Sequence, residues 1–452
     1  MRPGNLRSDL RLAALLTRGA DRLERRRAAL TATGAAVSTL LASAAVALLS
    51  VQGQYSFSYG HGLLNQPGTR RGIVAGLLLL LVPVLGFLGQ CARLGAVHRD
   101  RRLAGLRLAG AGPRQVRQIA ALEAGLACLV GALTGLALFA VALPVAGWTP
   151  PGAAWPALAA VVVAIPVLAV LVSGAALHRV IASPLGHVRR ERPGRGPRPW
   201  AALLPVLVVV LGVGLLVGRG SRAGAPGLPL LVLGAVVLTG VGALWLAGAS
   251  ARVIGRRLAD RTDDPAVLLA AARLQEDPWA AARSHAAVIM VTVVGVALAG
   301  VRHVLLAKLH ESDRAGSTAA PTDYYAFGLD LTAAAVLIAL LISVAAVAVG
   351  TAESLSTRRR ALAAQVAAGV PRRVLSRALL LETALPLAPA LALATLGGTA
   401  VHLAYAGAAG QARTWAAPLL VPLGVYAACL LAAATALPLL RRSVRPGRLR
   451  TA

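Results

Sequence analysis

Long apolar runs alternate along this chain with short polar segments rich in arginine. Ten runs of about 20 residues, the length an α-helix needs to cross about 30 Å of hydrocarbon, cover 29–51, 72–94, 119–142, 155–177, 200–218, 228–248, 286–306, 327–350, 378–400 and 416–440. The polar segments are not alike. With the N-terminus inside, 38 of the 46 Lys+Arg fall on the inner side. The other eight (Arg70, Arg71, Arg219, Arg222, Arg302, Lys308, Arg314 and Arg413) lie outside or at outer span ends. The bias recurs at six segments, as expected where basic residues set topology. The pattern predicts an all-α polytopic membrane protein of about ten transmembrane helices with both termini cytoplasmic.

Composition agrees with that picture. Apolar residues make up 57% of the chain and the mean hydropathy is +0.71, outside the range of soluble domains. A net charge of +29 would suggest nucleic acid in a soluble protein. Here the charge sits in short loops beside spans, where it sets topology and meets anionic lipid, so the partner it implies is membrane lipid and not nucleic acid. Lys308 is the only lysine, a skew that reflects coding bias and not function. Cys91, Cys128 and Cys429 all fall in or at the ends of spans, which supports neither a disulfide framework nor a cysteine metal site. The eight histidines show no ligand spacing, and no metal is expected. Trp148, Trp155, Trp200, Trp279 and Trp415 mark span ends as an interfacial belt. The basic lead before residue 28 is too long for a signal peptide and reads as a cytoplasmic amphipathic segment.

The polar segments after the second and eighth spans align without a gap at an offset of 259. Arg99, Arg101, Leu103, Ala104, Ala109, Gly110, Arg114, Leu122 and Glu123 are identical to Arg358, Arg360, Leu362, Ala363, Ala368, Gly369, Arg373, Leu381 and Glu382. Shared Ala-Leu bias does not place Arg, Gly and Glu in one register, so the chain reads as a tandem duplication. The organisation expected is a lead segment at 1–28, a first four-span unit at 29–199 and a two-span connector at 200–250. A second lead follows at 251–285, then a second unit at 286–440 and a basic tail at 441–452. The two units have the same orientation, unlike the inverted repeats of many secondary transporters.

Arg99–Glu123 has the physics of an elbow. A charged helix with Leu103, Leu106 and Leu108 lies at the inner interface. Gly110 breaks it, and Gly112-Pro113 opens a helix that continues into the third span. Gly369-Val370-Pro371 does the same in the second unit. The pattern Arg-Arg, Leu-Ala, Gly-x-x-x-Arg, Leu-Glu, opening a Gly- and Leu-rich span, resembles the FtsX-like permease family. That family holds the membrane subunits of MacB-type and antimicrobial-peptide-resistance-type ABC transporters and of lipoprotein-releasing permeases.

The resemblance implies that each elbow is a coupling helix docking on a separate cytoplasmic ABC ATPase. Carried over by position, it points to Arg107, Gly110, Arg114 and Arg117, and to Gly369, Arg372, Arg373 and Arg377. Two elbows in one chain imply two ATPase subunits per chain. ATP and Mg would be bound by the partner and none directly here, since Lys308, the only lysine, lies outside any phosphate-cradling Gly-Lys-Ser/Thr loop. The implied activity is extrusion or release of an amphipathic or hydrophobic molecule (peptide antibiotic, lipid or lipoprotein) at the outer face of a bacterial plasma membrane. This chain departs from the family in its outward loops, 52–71 and 307–326. At about 20 residues each, they are too short to build the usual extracytoplasmic domain.

Three acids remain. Glu123 and Glu382 lie near the inner boundary, either as protonatable relay groups or as partners of arginines in the lead and elbow helices, and position favours pairing. Asp330 faces Arg302 and His303 as a candidate ion pair between neighbouring spans that fixes packing. Using these acids, a proton- or ion-coupled secondary transporter is the rival reading. A mechanotransmitting regulator of an extracytoplasmic enzyme is a third. Gly131-x-x-x-Gly135 marks a close helix contact.

Overall fold

With no water in a bilayer to satisfy its N–H and C=O groups, a backbone must bond to itself. Every regular element among the described residues of the computed structural model is accordingly a helix. The structure describes residues 22–56, 62, 64–65, 67–93, 105, 108, 110–145, 147–181, 228–316, 322–409 and 416–438. The chain divides into two units, Met1–Arg190 and Glu191–Ala452.

Unit 1 contains α1 (Arg22–Ser50), α2 (Pro67–Arg93), α3 (Pro113–Val145) and α4 (Ala154–Ile181). Its centre is α1, which packs on all three others and most extensively on α3. Small residues make that contact close. A Cβ added to Gly131 would lie 2.1 Å from the Ala32 carbonyl oxygen, and one on Gly135 would lie 2.3 Å from that of Ala36. Backbone therefore meets backbone, the arrangement small-xxx-small spacing permits. The two contacts also show that α1 and α3 run side by side in the same direction. At the end opposite Pro113, Ala47, Val51, Phe139, Leu143, Trp148 and Leu158 close the core.

Unit 2 contains α5 (Leu228–Ala259), α6 (Pro265–Glu276), α7 (Pro278–Arg314), α8 (Thr322–Thr357), α9 (Arg359–Ala367), α10 (Arg372–Ala409) and α11 (Ala416–Thr435). Here α7 is central, packing on α5, α8, α10 and α11, with α10 its most extensive neighbour. Val236, Ala243, Ile289, Val293 and Ala394 join α5, α7 and α10, while Val288, Val347, Leu387, Val425 and Cys429 join α7, α8, α10 and α11. Trp279 at the start of α7 meets Trp245 of α5 edge-on, ring centroids 6.3 Å apart.

Seven helices among the described residues (α1, α3, α4, α5, α7, α8 and α10) are long and apolar enough to cross a membrane, and α11 holds a shorter apolar stretch, Leu419–Ala434. Leu133, Val141, Val163, Leu171, Leu341 and Leu420 are more than half exposed, faces that suit lipid rather than water. The chain is thus a multi-pass all-helical membrane protein. The predicted span 200–218 and the basic tail lie outside the described residues.

One boundary differs from the sequence expectation. The outward segment 307–326 reads as a loop, yet α7 runs on to Arg314 and α8 begins at Thr322. Hydropathy falls at Lys308, His310 and Glu311, of which Lys308 and Glu311 are good helix formers, so it marks where apolar solvent ends and not where the helix ends. Leu309, buried within that extension, ties it to the unit.

Candidate functional site

In unit 2 the elbow can be built residue by residue. Helix α8 ends at Thr357, Arg358 turns the chain, and α9 runs three turns at most before Gly369. Gly369 takes φ +91°, a conformation that side chains with a Cβ rarely adopt. Its N–H donates to the Val366 carbonyl and the Val370 N–H donates to that of Gln365, each at 3.0 Å, which is a Schellman stop. Pro371 then accepts from Val374 and starts α10. Nothing lies within 4 Å of a Cβ placed on Gly369, so its backbone angle, not crowding, demands glycine.

Charge braces this turn. The Arg358 guanidinium donates from Nη1 to Glu382 Oε1 at 3.2 Å and from Nη2 to Glu382 Oε2 at 3.0 Å, a fork-on-fork pair. Its Nε donates to the Ser354 carbonyl. Both side chains are about four-fifths buried, at 21% and 20% exposure. One arginine at the entrance to α9 is thereby fixed to a carboxylate ten residues into α10. A second tie joins α10 to α6: Arg377 Nη2 lies 3.3 Å from Asp264 Oδ2, while Oδ1 of the same carboxylate accepts from the Ala266 N–H at 2.8 Å and caps α6. Leu355, Leu375, Leu379 and Ala436 form the apolar floor, with Leu269, Leu362 and Val366 packed against it. Between α6, α9 and α10 lies an open cavity of ≈ 350 Å³ edged by Arg273, Glu276, Arg358 and Glu382. Arg372 and Arg373 are exposed on the first turn of α10, and Arg377 is 66% exposed.

Unit 1 shows its elbow only in part. Gly110 has φ +93°, close to the value at Gly369, and α3 starts at Pro113 with Val116 N–H donating to the Gly112 carbonyl. Arg114 and Arg117 fall in the first turns of α3, and Arg107 lies outside the described residues. Glu123 is buried, with 6% exposure. At the opposite end of unit 2, Arg302 Nη2 meets Asp330 Oδ1 at 2.7 Å across α7 and α8. His303 is exposed beside them. No group of three or more potential metal ligands occurs among the described residues.

A polytopic helical membrane protein with a braced polar elbow is the class this fold defines. Residues 333–440 match the family model described as FtsX-like permease C-terminal, which supports a place for this segment in the FtsX-like permease family. The matched segment runs from within α8 to the end of α11 and contains the whole unit 2 elbow. Members of the family are ABC-transporter-type membrane permeases typically paired with an ABC ATPase. Neither the curated proteins nor the solved structures give a match.

Sequence reasoning had not found the role of Asp264. Its signal was present: Asp264-Pro265 before an apolar-periodic run is a helix start, with the acid as cap and proline in the first turn. That the second carboxylate oxygen would reach Arg377, 113 residues on, was not legible, because only the packing of α6 on α10 brings them together.

Proposed function

We propose that the chain is the permease subunit of an ABC transporter, moved by a separate cytoplasmic ATPase to extrude or release an amphipathic or hydrophobic molecule at the outer face of a bacterial plasma membrane. The observation that carries this reading is the Arg358–Glu382 brace within the family-matched segment. A short helix held only by backbone would tilt when pushed. Fixed by two charge-assisted bonds to a point ten residues into α10, α9 passes a displacement on to a membrane-spanning helix. The exposed arginines Arg372, Arg373 and Arg377 would face the ATPase, with Arg107, Arg114 and Arg117 doing so around Gly110. One chain would engage two ATPases, which supply ATP and Mg. Inward-facing arginine loops support placing both elbows and both termini in the cytoplasm.

Pairing also weighs against the proton-coupled alternative. Glu382 and Asp330 are each engaged by an arginine, which supports a packing role for both acids. The test is reconstitution with the ABC ATPase encoded beside it. Arg373→Glu and Arg114→Glu together should abolish permease-stimulated ATP hydrolysis, each alone lowering it several-fold, and the purified complex should hold one permease and two ATPases. Full stimulation with both charges reversed, or a complex of two permeases, would refute the reading.

A further inference from the structure

The turn between α1 and α2 in unit 1 holds a buried charge with no carboxylate beside it among the described residues of that unit. Arg70, in the first turn of α2, is 3% exposed and is the only buried arginine or lysine among the described residues. Its guanidinium donates from Nη2 to the Gly53 carbonyl and from Nη1 to the Leu64 carbonyl, the latter at 3.4 Å. Carbonyls supply dipoles but leave the net charge in place. The sequence of unit 1 around it offers no carboxylate, since no Asp or Glu occurs in 28–99 or in 124–190. The described acids of unit 1, Glu24 and Glu123, lie at the opposite end. Glu24 is 26 residues of α1 away from Ser50, about 39 Å at 1.5 Å per residue, and Glu123 sits toward the start of α3, which runs alongside α1 in the same direction. A buried guanidinium without a carboxylate keeps its desolvation penalty, and an anion beside it offsets part of that.

Space for that anion is present. A cavity of ≈ 210 Å³ opens beside Arg70, walled by Leu48, Leu49, Val74 and Pro67 and rimmed by Gln52 and Gly53. The C-terminus of α1 and the N-terminus of α2 both end at this spot, so their opposed dipole ends largely offset and the guanidinium sets the charge of the cavity. Leu49 is 58% exposed at the mouth, so the wall continues onto the apolar outside of α1. We propose that this cavity is a phosphate site centred on Arg70, and that its ligand is the headgroup phosphate of a membrane lipid. A guanidinium set where two apolar helices end stands at headgroup depth, and the Leu48, Leu49 and Val74 wall receives the start of an acyl chain. This requires that the chain span a membrane, but it is independent of ATPase coupling.

The experiment uses the full chain, delipidated in detergent without any ATPase, and titrates it with short-chain phosphatidylglycerol by native mass spectrometry and thermal shift. The wild type should bind and be stabilised, and diacylglycerol of the same chain length, lacking the phosphate, should not bind. Arg70→Gln should weaken binding by about tenfold or more, the scale of a lost charge-assisted contact. Gln52→Glu should do the same by placing a carboxylate at the cavity rim. It alters an exposed loop side chain, so it decides the matter even if Arg70→Gln fails to fold. Arg302→Gln, in unit 2, should bind as the wild type does. Equal binding by Gln52→Glu and the wild type, or equal binding of diacylglycerol, would overturn the proposal. Displacement of the lipid by inorganic phosphate at millimolar concentration would overturn the lipid as the ligand. Loss of lipid binding leaves the coupling assay of the preceding section untouched, so the two ideas fail separately.

Discussion

Arg358 in unit 2 and Arg70 in unit 1 are both arginines drawn out of water near the end of an apolar helix, and they are satisfied in different ways. Arg358 finds Glu382 and forms a two-point contact with matched charge. Arg70 finds the Gly53 and Leu64 carbonyls and no carboxylate among the described residues of unit 1. The first arrangement is complete within the chain, so it serves as a mechanical tie. The second is complete only with something added. Hydrogen-bond satisfaction and charge balance are separate conditions on a buried ion, and a site that meets only the first is a place to look for a ligand.

The largest effect that tests this contrast is at Glu382. Replacing it with leucine leaves Arg358 without a carboxylate, held only by the carbonyl and hydroxyl of Ser354. We expect a loss of about 1–3 kcal/mol in stability, discounted for the pair's one-fifth exposure, seen as a lower unfolding temperature in detergent. Arg358→Leu combined with Glu382→Leu should recover part of it, because no lone charge remains. A double variant no more stable than Glu382→Leu would show that the tie is not electrostatic.

The next effect is smaller and concerns the turn that the tie supports. Gly369→Val should cost roughly 1–2 kcal/mol through the backbone alone, since φ +91° is unfavourable for a β-branched residue while the space around it is open. Gly369→Asn should cost less, as asparagine tolerates this conformation. Equal losses for the two, by the same thermal measurement, would mean that Gly369 does not hold its left-handed angle. The smallest effect should come from Arg302→Gln. That pair is well exposed, at 42% and 60%, and its loss should change stability by under about 1 kcal/mol. A change as large as that of Glu382→Leu would erase the distinction between a braced and a surface pair.

Much of this was readable in the sequence, for reasons that differ by feature. Span positions follow from hydropathy because the bilayer fixes length, and the elbows follow from Gly110 to Pro113 and Gly369 to Pro371, whose backbone restrictions are local. The Arg302–Asp330 partnership was legible because these are the only Lys, Arg, Asp or Glu residues inside the predicted spans 286–306 and 327–350, and both stand near the outer ends. Arg70 was counted merely as an outward charge. Its burial depends on how residues 51–56 and 64–65 fold over the start of α2, a tertiary event with no periodic signature. The absence of acids from 28–99 was in plain view, but it gains meaning only once the arginine is known to be buried. Asp264 was missed as a tie for the same reason.

The contact of Gly131 and Gly135 with the carbonyls of Ala32 and Ala36 has a consequence for how the protein is made. Glycines have no rotamers to freeze, so docking α3 on α1 gives up little side-chain freedom. The gain comes from dispersion between two backbones at close range, which does not depend on later helices being present. During insertion α1 has been in the membrane since the start, and α3 can dock as soon as it emerges. Unit 1 would then take shape as a zipped pair onto which α4 is added. A bulkier residue at 131 or 135 would meet those carbonyls, and so would hold the two helices apart during assembly and in the finished protein alike.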